Sequence, residues 1–144
     1  MRLSRTVEYA LNAMLQLAQS QSGAPVPCRQ LAAAGSMPRR FLLQVLRSLV
    51  NEGILSSTRG VIGGYVLGRN AAEISLLDLI EAIDGPLVAG LPECQSLSPD
   101  ATADLRDAFK RCTASLRTEL HALKLSQLLP KSVDGRIDAL EKCH

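Results

Sequence analysis

Apolar side chains recur along the chain at helical spacing, interrupted once by a short stretch of a different rhythm. Val7, Leu11, Met14 and Ala18 step by four, three and four residues, which is one buried stripe of a first helix, and Ser4 is placed to cap it. The polar run 19–25 is a loop, and Pro27 suits the start of a second helix through Leu31 to Ala34. Gly35 and Ser36 make a turn. A third helix follows with Pro38 at its first helical position; it buries Leu42, Val45, Leu46 and Leu49 and stops near Asn51-Glu52-Gly53. That phase leaves Arg39, Arg40, Leu43, Gln44 and Arg47 on or beside its outer face.

The rhythm then changes to β-prone runs, Ile54 to Thr58 and Tyr65 to Leu67, on either side of Arg59-Gly60-Val61-Ile62-Gly63-Gly64. This reads as a β-hairpin whose glycines supply the positive φ needed to reverse direction. A bare glycine tip can press its backbone against a phosphate chain. Two helices, the second of them basic, followed by a glycine-rich hairpin make a winged helix-turn-helix, a DNA-reading unit.

Downstream, Ser75 and Asp78 are three apart in Ile74-Ser75-Leu76-Leu77-Asp78, the spacing of a capping box. The helix it opens turns Leu76, Leu77, Ile80 and Ile83 inward and ends at Asp84-Gly85-Pro86. A loop from Leu87 to Ser98, with Pro92 and Cys94, leads to Ser98-Pro99-Asp100 and the longest helix, running to about Lys124. Its apolar positions Leu105, Phe109, Cys112, Leu116, Leu120 and Leu123 step by 4, 3, 4, 4 and 3, close to a coiled-coil seam. A helix of about 25 residues is about 38 Å long, more than so small a domain can cover. Packing on its own domain is one reading; pairing with a symmetry mate is the other, and a two-fold protein reads a two-fold DNA site. Ser126 can cap a short closing helix, and 131–144 offers another. The expected fold class is mainly α: a winged helix-turn-helix domain with a two-stranded β-hairpin wing over 1–86, then a loop, a long dimerisation helix and a C-terminal tail over 87–144.

Charge divides the chain in the same way. Residues 1–70 hold eight arginines, no lysine and only Glu8 and Glu52 as acids, a net +6, whereas 71–144 hold eight basic and twelve acidic residues, a net −4. Guanidinium makes bidentate contacts to phosphate and guanine, so the first half suits double-stranded DNA, although a solvated basic face has the same composition. A winged helix used only for protein contact is the rival reading; it calls for acidic or apolar residues where the third helix has Arg39, Arg40 and Arg47.

Catalysis has little to use. His121 and His144 are the two histidines, and no GxxxxGKS, HExxH or GxSxG pattern occurs. No early apolar run has signal-peptide form and none reaches about 18 residues, so the expected setting is the cytoplasm, without a membrane partner. Cys28, Cys94, Cys112 and Cys143 are far apart and form no CxxC pair, against both a disulfide scaffold and a zinc ribbon.

Met1-Arg2-Leu3-Ser4, Tyr9-Ala10-Leu11, Pro25-Val26, 41–46 (FLLQVL), Glu52-Gly53-Ile54, Arg59-Gly60 with 63–67 (GGYVL), 74–78 (ISLLD) and 125–128 (LSQL) together resemble the bacterial IscR/NsrR/CymR-type transcription regulators. The resemblance runs from Met1 to about Leu128, and the RGxxGGYxL hairpin after a helix-turn-helix is its specific part. It implies a homodimeric winged-helix repressor or activator with the third helix in the major groove and Arg59 in the adjacent minor groove. On that basis the DNA-binding set is Arg39, Arg40, Gln44, Arg47, Arg59, Gly60, Gly63, Gly64 and Tyr65. Some relatives place an acid before the glutamine; this chain has Leu43, so its operator should differ.

The resemblance also raises a cofactor. Several members hold an iron-sulfur cluster with three cysteines in the loop and at the start of the dimerisation helix. Here Cys94 lies in that loop, but the positions around Leu97 and Ala103 carry no thiol. The expectation is therefore no cofactor and sensing through an unidentified effector or protein partner. The alternative is a cluster on Glu8, Cys94 and Cys112, with His121 or nothing as fourth ligand, set against Cys112 as a small apolar seam residue and Glu8 as a solvated one.

Overall fold

The computed structural model describes residues 1–20, 22–91, 93 and 95–131. Helix α1 (Arg5–Gln19) begins where a cap is available: Ser4 Oγ accepts a hydrogen bond from the Val7 amide at 3.2 Å. Its buried face is Val7, Ala10, Ala13, Met14 and Leu17, while Leu11 and Ala18 are only half-buried at its margin. The expected stripe was thus right in Val7 and Met14 and shifted elsewhere. Ala10 and Ala13, both fully buried, take the places on that face that the larger residues were expected to hold.

Helix α2 (Cys28–Ala34) follows Pro27, and α3 (Arg39–Asn51) follows Pro38. Pro38 is the capping residue, one place ahead of its expected position inside the helix, since its ψ of 119° is extended. Leu42, Val45, Leu46 and Leu49 are buried as the spacing requires. Strands β1 (Leu55–Thr58) and β2 (Gly64–Leu67) pair antiparallel, with Leu55 opposite Leu67 and Thr58 opposite Gly64.

Helix α4 (Leu76–Asp84) opens on the capping box that the sequence announces. The Asp78 amide donates to Ser75 Oγ at 3.0 Å, and the Ser75 amide donates back to Asp78 Oδ2 at 2.9 Å. Partial burial pushes the Asp78 carboxyl up, but hydrogen bonding with Ser75 and the charges of Arg69 and His121 outweigh it and hold the group below the usual carboxylate range. A depressed carboxylate supports the folded state above its ordinary pKa, and that support disappears as the pH falls through the lowered value. Leu77, Leu79 and Ile80 are the buried residues here; Leu76 and Ile83, expected inward, are half-buried, and Leu79 takes the deep position.

Helix α5 (Pro99–Ala122) is capped by Ser98 and has 24 residues, about 36 Å, none of them buried. It ends before the expected Lys124, and Leu123 is already extended at ψ 109°. Of the seam, Leu105 and Phe109 are 36% and 44% exposed and Cys112 is exposed, whereas Leu116, Leu120 and Leu123 are half-buried. Packing of α5 within the chain is chiefly on α4. Arg117 of α5 pairs with Glu81 of α4 and donates to the Leu87 carbonyl at 3.0 Å, and Glu81 accepts from the Leu87 amide at 3.0 Å. Those contacts, the Leu87 amide first and Arg117 next, hold the Glu81 carboxyl below its ordinary value.

After α5 the chain turns back to the first helices. The Leu76 amide donates to the Leu123 carbonyl, and the Leu125 amide to the Ile74 carbonyl, at 2.9 and 2.8 Å. Leu125 is 3% exposed and belongs to the same core as Ala10, Met14, Leu31, Leu46, Ile54 and Leu79. Leu125–Leu128 is a 3₁₀ turn led by Lys124, so Ser126 sits inside it and is not its cap. The Ser126 amide is already committed, to the Ala71 carbonyl at 3.1 Å. The expected helix within 131–144 lies outside the described residues apart from Lys131.

Candidate nucleic-acid interface

Helices α2 and α3 meet through a tight turn. Ser36 takes a left-handed φ of 51°, and the Met37 amide bonds the Ala32 carbonyl at 2.8 Å, which swings the chain onto Pro38. With Leu42, Val45, Leu46 and Leu49 inward, the outer face of α3 falls on Arg40, Gln44 and Arg47, all exposed, with Arg39 exposed beside them and Leu43 half-buried. Residues four and three apart share a face, so three of the four polar candidates on α3 form one row.

The wing is pinned to this unit by backbone. Val26, just before α2, exchanges two hydrogen bonds with Tyr65 of β2: amide to carbonyl at 3.0 Å and carbonyl to amide at 2.9 Å. Gly64 makes that approach possible, because a Cβ there would sit 2.5 Å from the Val26 carbonyl carbon and 2.6 Å from its oxygen. The hairpin glycines therefore divide their tasks. Gly60 alone among Gly60, Gly63 and Gly64 has positive φ, +111°, while a Cβ on Gly63 would meet the Thr58 carbonyl oxygen at 2.4 Å. The expectation that all three reverse the chain is corrected: one turns it, and two let backbone lie against backbone.

At the apex the Gly63 amide bonds the Gly60 carbonyl at 3.0 Å, closing a four-residue turn with Val61 and Ile62 at its centre. Arg59 and Gly60 are exposed, and Gly63, Gly64 and Tyr65 are half-buried. Between this tip and the first turns of α2 and α3 lies a cleft of about 380 Å³, lined by Pro25, Pro27, Cys28, Arg29, Arg39, Val61, Ile62 and Gly63. Arg29 lines this cleft and is not among the residues that the sequence pointed to. The signal was available: it is the basic residue of the first turn of the first helix of the helix-turn-helix.

Beneath the tip, Tyr65 lies near Cys28 and Arg47. Burial pushes the Tyr65 phenol up, the neighbouring Cys28 adds to this, and Arg47 opposes it. Burial likewise pushes the Cys28 thiol up, against the nearby Arg39 guanidinium. Cys28 is 7% exposed, and its Sγ lies 3.9 Å from the Arg39 carbonyl oxygen. Tyr65 is thus anchored by backbone to Val26 and packs, half-buried, against the core beneath the outward arginines.

This arrangement gives a sharp prediction. Gly64→Ala should break the Val26–Tyr65 pair, since both obstructing atoms are backbone. Operator affinity should fall about tenfold or more while helix content is retained, and the Val26 and Tyr65 amides should lose protection in hydrogen exchange. Unchanged binding would show that the wing does not need this anchor.

A model of the family described as Rrf2, iron-dependent transcriptional regulator, matches residues 3–131. The chain belongs to the Rrf2 family. This Rrf2 protein is 39% identical over 132 residues to an HTH-type transcriptional regulator of Mycobacterium tuberculosis, covering 89% of this chain and 81% of that one. It is 36% identical over 121 residues to IscR of Escherichia coli, covering 81% and 75%. The solved structure of CymR, the global cysteine regulator of Bacillus subtilis, matches with a TM-score of 0.72 at 26% identity, over 89% of this chain and 95% of that one. The fold expected from the sequence, a mainly helical winged unit with a two-stranded hairpin and a long C-terminal helix, is the one found. This Rrf2 chain is a DNA-binding transcription regulator and not an enzyme. Among the described residues no helix is long and apolar enough to cross a membrane.

The family's description as iron-dependent makes the fit of the possible ligands a question of this chain. Glu8 on α1 and Cys112 on α5 are both exposed, as is His121, and Cys94 lies outside the described residues. Among the described residues no three His, Cys, Asp or Glu side chains are grouped to hold a metal ion. Among the described residues, Glu8, Cys112 and His121 are exposed side chains on α1 and α5 that are not grouped as a cluster site.

Proposed function

We propose that this protein is a homodimeric repressor acting in the bacterial cytoplasm, which reads a two-fold operator without a three-cysteine iron-sulfur cluster. The observation that carries this is the meeting of exposed arginines around one cleft, Arg29 and Arg39 from the helix-turn-helix against the tip that follows Arg59. In this reading Arg40, Gln44 and Arg47 face base edges and phosphates in the major groove, and Arg59 enters the adjoining minor groove, where negative potential favours a guanidinium. The seam of Leu105, Phe109, Cys112, Leu116, Leu120 and Leu123 joins two protomers, with its outer half exposed on the single chain.

The test selects operators from a random duplex pool with protein purified without oxygen. Expected are a palindromic site, two protomers per duplex, a colourless protein, and binding that is the same with and without reductant. A brown protein containing iron and sulfide would overturn the cluster-free part and turn attention to Glu8, Cys94 and Cys112, each of which should then bleach the colour when replaced.

A further inference from the structure

The apex of the wing is apolar and fully in solvent. Val61 and Ile62 have fractional exposures of 106% and 90%, against a core in which the other large aliphatic side chains of the wing's base, Ile54 and Leu55, are 1% and 2% exposed. Two β-branched residues at the centre of a tight turn are not what closes it: the turn is closed by the Gly63 amide on the Gly60 carbonyl, the hairpin is held by the β1–β2 ladder, and the Val26–Tyr65 bridge anchors it to the helices.

We infer that Val61 and Ile62 are an apolar wedge that presses on the floor of the DNA minor groove beside Arg59 and selects A·T over G·C pairs there. The inference rests on the DNA-reading function proposed above. Three observations favour DNA as the occupant. The tip is two residues wide, which suits a groove about 6 Å across and is far below the roughly 800 Å² that a protein partner covers on each side. Its surroundings are cationic, with Arg59 two residues before Val61, and with Arg29 and Arg39 lining the cleft behind it. The backbone pins at Gly64 and Tyr65 fix where the tip points, as a wedge that must enter a groove requires.

The selectivity follows from the chemistry of the groove floor. An A·T pair shows only the acceptors A N3 and T O2, whereas G·C adds the guanine amino donor. An aliphatic side chain pressed against that amino group strips its water and offers no acceptor, so the donor is left unpaired and the complex is penalised. Arg59 would supply attraction to the groove; Val61 and Ile62 would supply the discrimination, with apolar wedging of the kind minor-groove proteins use.

Inosine provides the test, because an I·C pair keeps the major-groove face of G·C and lacks the amino group. In the selected operator, the pairs under the wing are located by minor-groove methylation protection and changed from A·T to G·C or to I·C. The protein should bind the G·C operator about tenfold more weakly than the A·T one, with I·C restoring most of the loss. The Val61→Ser, Ile62→Ser double variant, whose changes lie wholly in solvent, should bind all three duplexes within about twofold of one another and keep the salt dependence of the original protein. Retained discrimination by the double variant, or no difference between I·C and G·C, would overturn the inference alone and leave the DNA reading standing. A protein that selects no sequence at all would overturn the DNA reading and the inference with it.

Discussion

Replacing Leu105 and Phe109 together with glutamate is expected to give a well-folded monomer that binds the operator about a thousandfold more weakly. Both side chains are substantially exposed on the single chain, at 36% and 44%, so the charges cost the protomer little and its circular dichroism should be unchanged. Across a two-fold seam the same charges would be buried without partners, repeated by symmetry on the facing helix, and strongly disfavoured. A monomer then binds one half-site where a dimer binds two, and the loss of the linked second contact gives the thousandfold estimate. Leu116→Glu is a blunter version, because Leu116 is half-buried within its own chain and a charge there also disturbs the protomer. Sedimentation as an unchanged dimer with full operator affinity would put the interface somewhere else.

The second large effect is on salt. If each protomer neutralises about four phosphates through Arg29, Arg39, Arg40 and Arg47 or their neighbours, a dimer releases about eight counterions, and the log-log slope is about −7. Raising salt from 50 to 200 mM should then weaken binding by about 10⁴-fold. Arg59→Ala should cost about 1–3 kcal/mol and flatten the slope, while Arg69→Ala, two residues beyond the end of β2, should do less in fluorescence titrations. A flat salt dependence would mean that the arginine surface is solvated and idle, and equal losses from the two arginine variants would remove the special place of Arg59.

Much of this was legible in the sequence because its signals were local. Caps and turn residues act within four positions, and Ser4, Ser75 with Asp78, and Ser98 all cap the helices assigned to them. The buried face of α3 was read without error, since four bulky residues at the right spacing leave one solution. The face of α1 was harder, because the fully buried Ala10 and Ala13 carry little hydrophobic signal. The Val26–Tyr65 pairing and the role of Gly64 were hidden for another reason. They join residues 39 positions apart, and glycine looks the same in a sequence whether it turns a chain or makes room for one. Arg29 escaped because the third helix and the wing carry the obvious signals, whereas the cleft is made where the wing tip meets the first turns of both α2 and α3.

The return of Leu125 to the core makes the DNA-reading unit a closed circuit in the chain. Its first piece begins at Ser4 and its last is contributed more than a hundred residues later, after the long helix has gone out and come back. A fragment cut anywhere between Pro86 and Lys124 would leave a hole where Leu125 sits beside Ile74 and Leu79, and would strip the Leu76 amide and the Ala71 and Ile74 carbonyls of their partners. The reading head therefore depends on Leu123, Leu125 and Ser126 beyond the projecting helix, and minimal DNA-binding fragments of this chain should be designed by looping out the excursion, linking the end of α4 to Leu123, and not by truncation.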